Sequence, residues 1–190
     1  MIRAGIEDKN RIVDILSNAF DDNKSVNYII QQDAKRKQRI RNLMAYSFDL
    51  CHSFGDVFLS EDKKGCALIL LPDKKKTTLR SIFLDTKLAV SAIGLANIKK
   101  AMEREAAINK IHPDGIIYYL WFIGVDPSDQ GNGVGSKLLE SVIQEGLSQK
   151  RTICLETSTI KNLPWYEKLG FKTYQEMDFG YRLYCMKMDI

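Results

Sequence analysis

The residues whose types and spacing best define a chemistry stand in one row: Gln130-Gly131-Asn132-Gly133-Val134-Gly135. Glycines let a backbone approach a ligand with no Cβ in the way. An apolar run, Ile116 to Val125, precedes the row, and a helical pattern carrying Val134, Leu138, Leu139, Val142, Ile143 and Leu147 on one stripe follows it. A helix that opens on such a loop presents unpaired N–H groups and the positive end of its dipole, the ingredients of a phosphate or pyrophosphate seat. A P-loop requires a glycine and then a lysine at the sixth and seventh positions from Gly131, and the sixth is Ser136. A dinucleotide fingerprint requires its third glycine at that same Ser136, and on the first strand–helix turn rather than two-thirds of the way along the chain. What the row does satisfy is Q-x-x-G-x-G, through Gln130, Gly133 and Gly135.

Other reactive side chains are scattered. Cys51, Cys66, Cys154 and Cys185 form no C-x-x-C pair and have no histidine at metal spacing, so no metal site is expected. Adjacent Cys51 and His52 point about 100° apart on a helix and do not make a nucleophile with its base. Carboxylates are the remaining source of a general base: Glu156, on the strand after the glycine-loop helix, and also Asp22 and Glu61. Trp121 and Trp165 read as core, and His112, before Pro113, as part of a turn.

The elements that must position these groups can be read from periodicity. A short strand spans Met1 to Ala4, a helix runs on from Asp8, a brief one covers Ser25 to Ile30 and a longer one Lys35 to His52. Gly55-Asp56 reads as a turn before two strands, Val57 to Ser60 and Cys66 to Leu71, joined as a hairpin. Residues 79 to 110 carry helix formers, with a break near Ser91 to Gly94. The unbroken apolar run from Ile116 to Val125 predicts a central strand buried on both faces, in which Gly124 marks a bulge or a close approach. Thr152 to Thr157 is the next strand. Asn162, Pro164 and Gly170 frame a short helix as N-cap, first turn and C-cap. Two strands from Phe171 to Met188 end the chain.

The segment from Leu120 through Leu139 resembles motif A of the GCN5-related N-acetyltransferase (GNAT) superfamily, and Asn162 with Tyr166-Glu167-Lys168-Leu169-Gly170-Phe171 resembles its motif B, N-x-x-x-Y-x-x-x-G-F. The likeness covers residues 116 to 188 well, and the first 115 match in element order; the motif A segment is similar to a subset that includes puromycin acetyltransferase. The resemblance implies an α/β (α+β) GNAT fold spanning residues 1–190 as one domain: a mixed, mostly antiparallel sheet of about six to seven strands flanked by helices, with the fourth and fifth strands splayed. It implies acetyl-coenzyme A as cosubstrate and direct transfer of its acetyl group to a primary amine. Backbone groups of Phe122, Ile123 and Val125 would pair with the pantetheine arm, and an N–H, that of Ile123, would face the thioester oxygen. The amides of Gly131, Asn132, Gly133, Val134, Gly135 and Ser136 would hold the pyrophosphate, and Gln130 would close the loop. Asn162 would bond the cofactor arm, Tyr166 would stabilise the leaving thiolate, and Tyr118 and Tyr119 would line the acceptor side. The base stays open between Glu156, Asp22, Glu61 and a water relay.

The long stretch from Thr77 to His112 predicts an enlarged wall beside the acceptor cleft and hence a small-molecule amine. The alternatives are a protein or peptide N-acetyltransferase and a non-catalytic coenzyme A sensor. The net charge of +4 in 190 residues fits an anionic cofactor and is too small to imply nucleic acid; the Lys35-Arg36-Lys37 and Lys74-Lys75-Lys76 runs read as solvated. No stretch reaches the roughly 20 apolar residues of a membrane span. Unpaired cysteines fit a reducing cytoplasm, and a monomer or homodimer is expected.

Overall fold

A computed structural model describes residues 1–189. β1 (Ile2–Arg3) leads through a short turn into α1 (Lys9–Ala19), α2 (Lys24–Ile29) and α3 (Arg36–Phe54). β2 (Gly55–Leu59) and β3 (Gly65–Leu70) form the hairpin. An arm follows: α4 (Leu79–Leu88), a wider helical turn over Ala89–Ile93, and α5 (Ile98–Ile111). β4 (Ile117–Val125), α6 (Val134–Ser148), β5 (Thr152–Thr157), α7 (Leu163–Lys168), β6 (Lys172–Asp178) and β7 (Arg182–Met188) complete the chain. The arm breaks at Gly94, whose φ of 77° is a conformation glycine adopts without strain.

The seven strands make one sheet in the order β1-β2-β3-β4-β5-β7-β6, antiparallel everywhere except between β4 and β5. Alternation along β3 divides its side chains between two apolar layers. Cys66, Leu68 and Leu70 meet Ile12 and Leu16 of α1 and Ile40, Met44 and Phe48 of α3. Ala67 and Ile69 meet Leu138, Leu139, Val142 and Ile143 of α6 and Tyr166 of α7. The sheet is therefore buried on both faces, which is why its central strands are apolar without interruption.

One detail differs from the sequence expectation. Gly55 is not a turn residue but the first residue of β2, opposite Leu70. A Cβ there would lie 2.0 Å from the Ile69 carbonyl oxygen, so the neighbouring backbone demands glycine. Of the two readings of Gly124, close approach holds and the bulge lies elsewhere in β4. The register shifts between the pairs Leu68–Phe122 and Ile69–Leu120, which leaves Trp121 as the extra residue. Gly124 serves close packing instead: a Cβ on it would sit 3.0 Å from Leu16 and 3.3 Å from Ala19 of α1.

Candidate functional site

β4 and β5 pair over three positions, Ile117–Thr152, Tyr118–Ile153 and Tyr119–Cys154, and then part. Beyond Tyr119 the edge of β4 has no strand beside it, and a cleft of about 670 Å³ opens there. Asp126 N–H donates to the Lys64 carbonyl on the β3 side. By alternation the backbone groups of Val125 and Ile123 face the opposite, open edge. The Val125 carbonyl there accepts from Gln130 Nε2 at 3.2 Å, so the Gln130 side chain ties the glycine loop to the end of β4.

The loop's shape follows from its residue types. Gly131 and Gly133 have φ of 83° and 77°, and a Cβ on either would meet nothing within 4 Å, so the requirement is backbone conformation and not space. Gly133 is the N-cap of α6, and the first bond of that helix runs from Lys137 N–H to the Gly133 carbonyl. The amides of Val134, Gly135 and Ser136 therefore have no intrahelical partner and no capping side chain. Lys64 Nζ bonds Asp129 at 2.5 Å and fastens the loop to the β2–β3 hairpin.

α7 closes the other wall. Its C-terminus is a Schellman turn: Phe171 N–H reaches the Tyr166 carbonyl at 3.1 Å, Gly170 N–H reaches that of Glu167 at 2.9 Å, and Gly170 has a φ of 97°. Asn162 stands at the N-cap position, but its side chain makes no cap bond and lines the cleft instead. Trp165 Nε1 donates to Ser136 Oγ at 3.0 Å, joining α7 to the first turn of α6. Tyr166 is buried against the α6 layer, lines the cleft, and its hydroxyl has no protein partner among the described residues. Burial pushes its phenol well above the ordinary tyrosine range.

Of the three carboxylates, Glu156 lies deepest, with a side chain 7% exposed. It accepts from the Tyr119 hydroxyl at 2.5 Å, and its other oxygen lies 3.5 Å from His112 Nε2. Burial, together with the Glu156 carboxylate, holds the Tyr119 proton far above the usual range. Asp22 is at the exposed rim of the cleft. Glu61 is removed from it, 84% exposed at the hairpin tip beside the amino terminus. Phe122, Ile123, Val125, Gln130, Gly135, Asn162, Tyr166 and Glu156 all line this one cleft, whereas Asn132 and Val134 border a second hollow on the outer side of the loop.

Tyr118, expected on the acceptor side, faces the α6 layer and donates to Asp56 at 3.1 Å. Tyr119 alone of that pair reaches the cleft, because successive strand residues point to opposite faces. Three contributors escaped the sequence reading. His112, read as a turn residue, packs its ring 4.9 Å from that of Tyr119. Arg104 and Glu105 of α5 line the cleft from the arm. None carried a local signal, since all three are brought in by tertiary packing. All four cysteines are buried and free, and burial raises each thiol, that of Cys185 to about 12, so none is a nucleophile. Among the described residues no cluster of His, Cys, Asp and Glu could hold a metal, and no single helix is long and apolar enough to cross a membrane.

Residues 91–173 match the family model described as an acetyltransferase (GNAT) domain. Solved structures agree over the whole chain. The structure of histone acetyltransferase HPA2 and related acetyltransferase from Corynebacterium glutamicum has 21% identity and a TM-score of 0.72 over 99% of this chain and 94% of that one. The C-terminal condensation domain of Ebony, solved with beta-alanyl-dopamine, has 10% identity and a TM-score of 0.73 over 100% and 97%. Arylalkylamine N-acetyltransferase 2 from Aedes aegypti has 16% identity and a TM-score of 0.64 over 100% and 97%. At these identities the likeness is one of fold. The match to the GNAT domain model spans both motif segments, and the chain shares the fold of these structures from end to end.

Proposed function

We propose that the protein transfers the acetyl group of acetyl-coenzyme A directly to the primary amine of a small molecule. The observation that carries this reading is a single cleft that reaches the glycine loop at Gly135, in the first turn of α6, and holds an unpaired strand edge, a buried carboxylate and a partnerless phenol. These are the groups that a pyrophosphate, an amide-bearing arm, an ammonium and a thiolate respectively require. Acetyl-coenzyme A supplies the activated acetyl group as a thioester.

The amides of Gly131 to Ser136 hold the pyrophosphate at the start of α6. The open edge at Ile123 and Val125, flanked by Phe122, takes the pantetheine arm as an added strand, and the Asn162 side chain, free of capping duty, bonds it. The N–H of Ile123 faces the carbonyl oxygen as negative charge develops there. An alkylammonium, with a pKa of about 10.4, must first lose a proton. Glu156 accepts it, directly or through one water, while the Tyr119 hydroxyl holds the carboxylate in place. As the C–N bond forms and the C–S bond breaks, the nitrogen releases its second proton to solvent, and the Tyr166 hydroxyl donates a hydrogen bond to the departing thiolate.

A small amine is favoured over a protein tail because α5 walls the cleft beside β4, and because one protein of this fold is an arylalkylamine N-acetyltransferase and another was solved with beta-alanyl-dopamine. Four buried, unpaired cysteines support a cytoplasmic setting. Titration calorimetry with acetyl-coenzyme A, followed by thiol release across an amine panel, tests the reading. Absence of cofactor binding removes it, and tight binding without turnover on any amine leaves a coenzyme A sensor in its place.

A further inference from the structure

Arg104 presents to the cleft a cation that no carboxylate touches among the described residues; Glu105, its neighbour on α5, acts on it only at a distance. Its Nε donates to the Tyr181 hydroxyl at 2.9 Å and its Nη2 to Ser25 Oγ at 2.5 Å, and Tyr181 also donates to Ser25 at 3.3 Å. Both partners are neutral, and among the described residues no ion pair includes Arg104. A guanidinium has five N–H donors, so the remaining ones are left for a guest. The group is held from three elements: α5, which carries it, α2 through Ser25, and the β6–β7 turn through Tyr181 and Phe179, whose ring lies 5.9 Å from the guanidinium carbon. Such fixing removes most of the entropy an arginine loses on gripping an anion.

The carboxylate that would ordinarily offset this charge is engaged elsewhere. Glu156 accepts from the Tyr119 hydroxyl through one oxygen, the other stands 3.5 Å from His112 Nε2 without a hydrogen bond, and both Glu156 and Arg104 line the one cleft. The polar provision exceeds what the protein uses: Glu156 Oε1 and Ser158 Oγ, both of residues lining the cleft, are buried with no hydrogen-bond partner among the described residues. Buried polar atoms left unpaired are costly, and a bound polar group removes the cost.

We propose that Arg104 forms an anion subsite, and that the acceptor is an amine that also carries a carboxylate: its ammonium lies toward Glu156 and its carboxylate on the guanidinium. A bidentate arginine–carboxylate pair fixes orientation as well as adding affinity. The assignment rests on the reading of the cleft as the site of acetyl transfer.

Binding and turnover are measured separately. The probes are ω-aminocarboxylates from glycine to 6-aminohexanoate, together with phenylalanine, each paired with its primary amide. Each is titrated calorimetrically into the full chain loaded with coenzyme A, and each is assayed for thiol release from acetyl-coenzyme A. At least one acid is expected to bind more tightly than its amide. Arg104→Met should weaken that acid by about tenfold to a hundredfold and leave its amide and coenzyme A unchanged, with Arg104→Lys recovering part of the loss. Thermal melts of both variants report folding, and Arg104→Lys keeps the test open should Arg104→Met melt early. Acid-selective binding that depends on Arg104, without thiol release, upholds the subsite and removes the transferase reading. Equal binding of acid and amide, equal weakening of both by Arg104→Met, or no binding by any acid overturns the subsite, whether or not amides are acetylated.

Discussion

Tyr119 and Tyr166 both line the cleft, and burial raises both phenols, yet their hydroxyls differ in what they touch. Tyr119 is committed to Glu156, and Tyr166 is free. A phenol raised above its usual ~10 does not give up its proton to a thiolate whose acid has a pKa near ~8.5, so in the proposed reaction Tyr166 would act by hydrogen bonding. Tyr166→Phe is expected to lower kcat about tenfold to a hundredfold with the Kd for acetyl-coenzyme A unchanged. Because the raised phenol stays protonated, the wild-type rate should show no alkaline fall below about pH 10 that Tyr166→Phe abolishes; such a limb would remove the assignment. Glu156→Gln keeps the shape and the Tyr119 bond but cannot take a proton. Its kcat/KM should drop about a hundredfold, with the rate recovering as pH rises toward the amine's own pKa. A Glu156→Gln enzyme with wild-type rates at pH 7 would pass the base role to solvent or to Asp22.

At the scale of elements, glycines at two places are required for different reasons, and substitution separates them. Gly133→Ala meets no atom but forces an L residue to a φ of 77°, at a cost of about 1–2 kcal/mol. Its chief effect should be weaker acetyl-coenzyme A binding, read by calorimetry, with a modest loss in denaturant midpoint. Gly55→Ala drives a Cβ into the Ile69 carbonyl and should cost more than about 3 kcal/mol, or prevent folding, while touching nothing in the cleft. The bulge at Trp121 explains why β4 was only half legible. Tyr118 and Leu120 face the α6 layer and Tyr119 the α3 layer; after the extra residue Phe122 faces the α3 layer and Ile123 the α6 layer. An unbroken apolar run hides that change of phase, so the sequence marked the strand but not which tyrosine enters the cleft.

For the whole molecule, Asp73 and Arg151 fasten the turn after β3 to the start of β5 with bonds of 2.6 and 2.9 Å. The bond to Arg151 holds the Asp73 carboxyl below its ordinary range. A lowered folded-state pKa gives stability that is present above the unfolded carboxylate range and lost as pH falls through the folded value. Asp73→Asn should therefore lower the melting temperature at pH 7 by about 2–6 °C, and the gap to wild type should close below about pH 3. A gap that persists at low pH would assign the loss to packing. Saturating acetyl-coenzyme A at about a hundred times its Kd should add roughly 2.7 kcal/mol to the stability of the fold by mass action.

Order along the chain was enough to define the glycine loop, the helix it opens, the strand–helix–strand run around Asn162 and Tyr166, and the arm broken near Gly94. These are local matters: period, caps and φ requirements are written in neighbouring residues. Which groups share a cavity is not local. His112, Arg104 and Glu156 come from a turn, a helix and a strand, and meet because β4 and β5 part after Tyr119 while α5 packs across the opening. That parting and the bulge beside it are matters of pairing across the sheet, and they decide that one cleft holds both a buried carboxylate and a guanidinium without an ion-pair partner among the described residues.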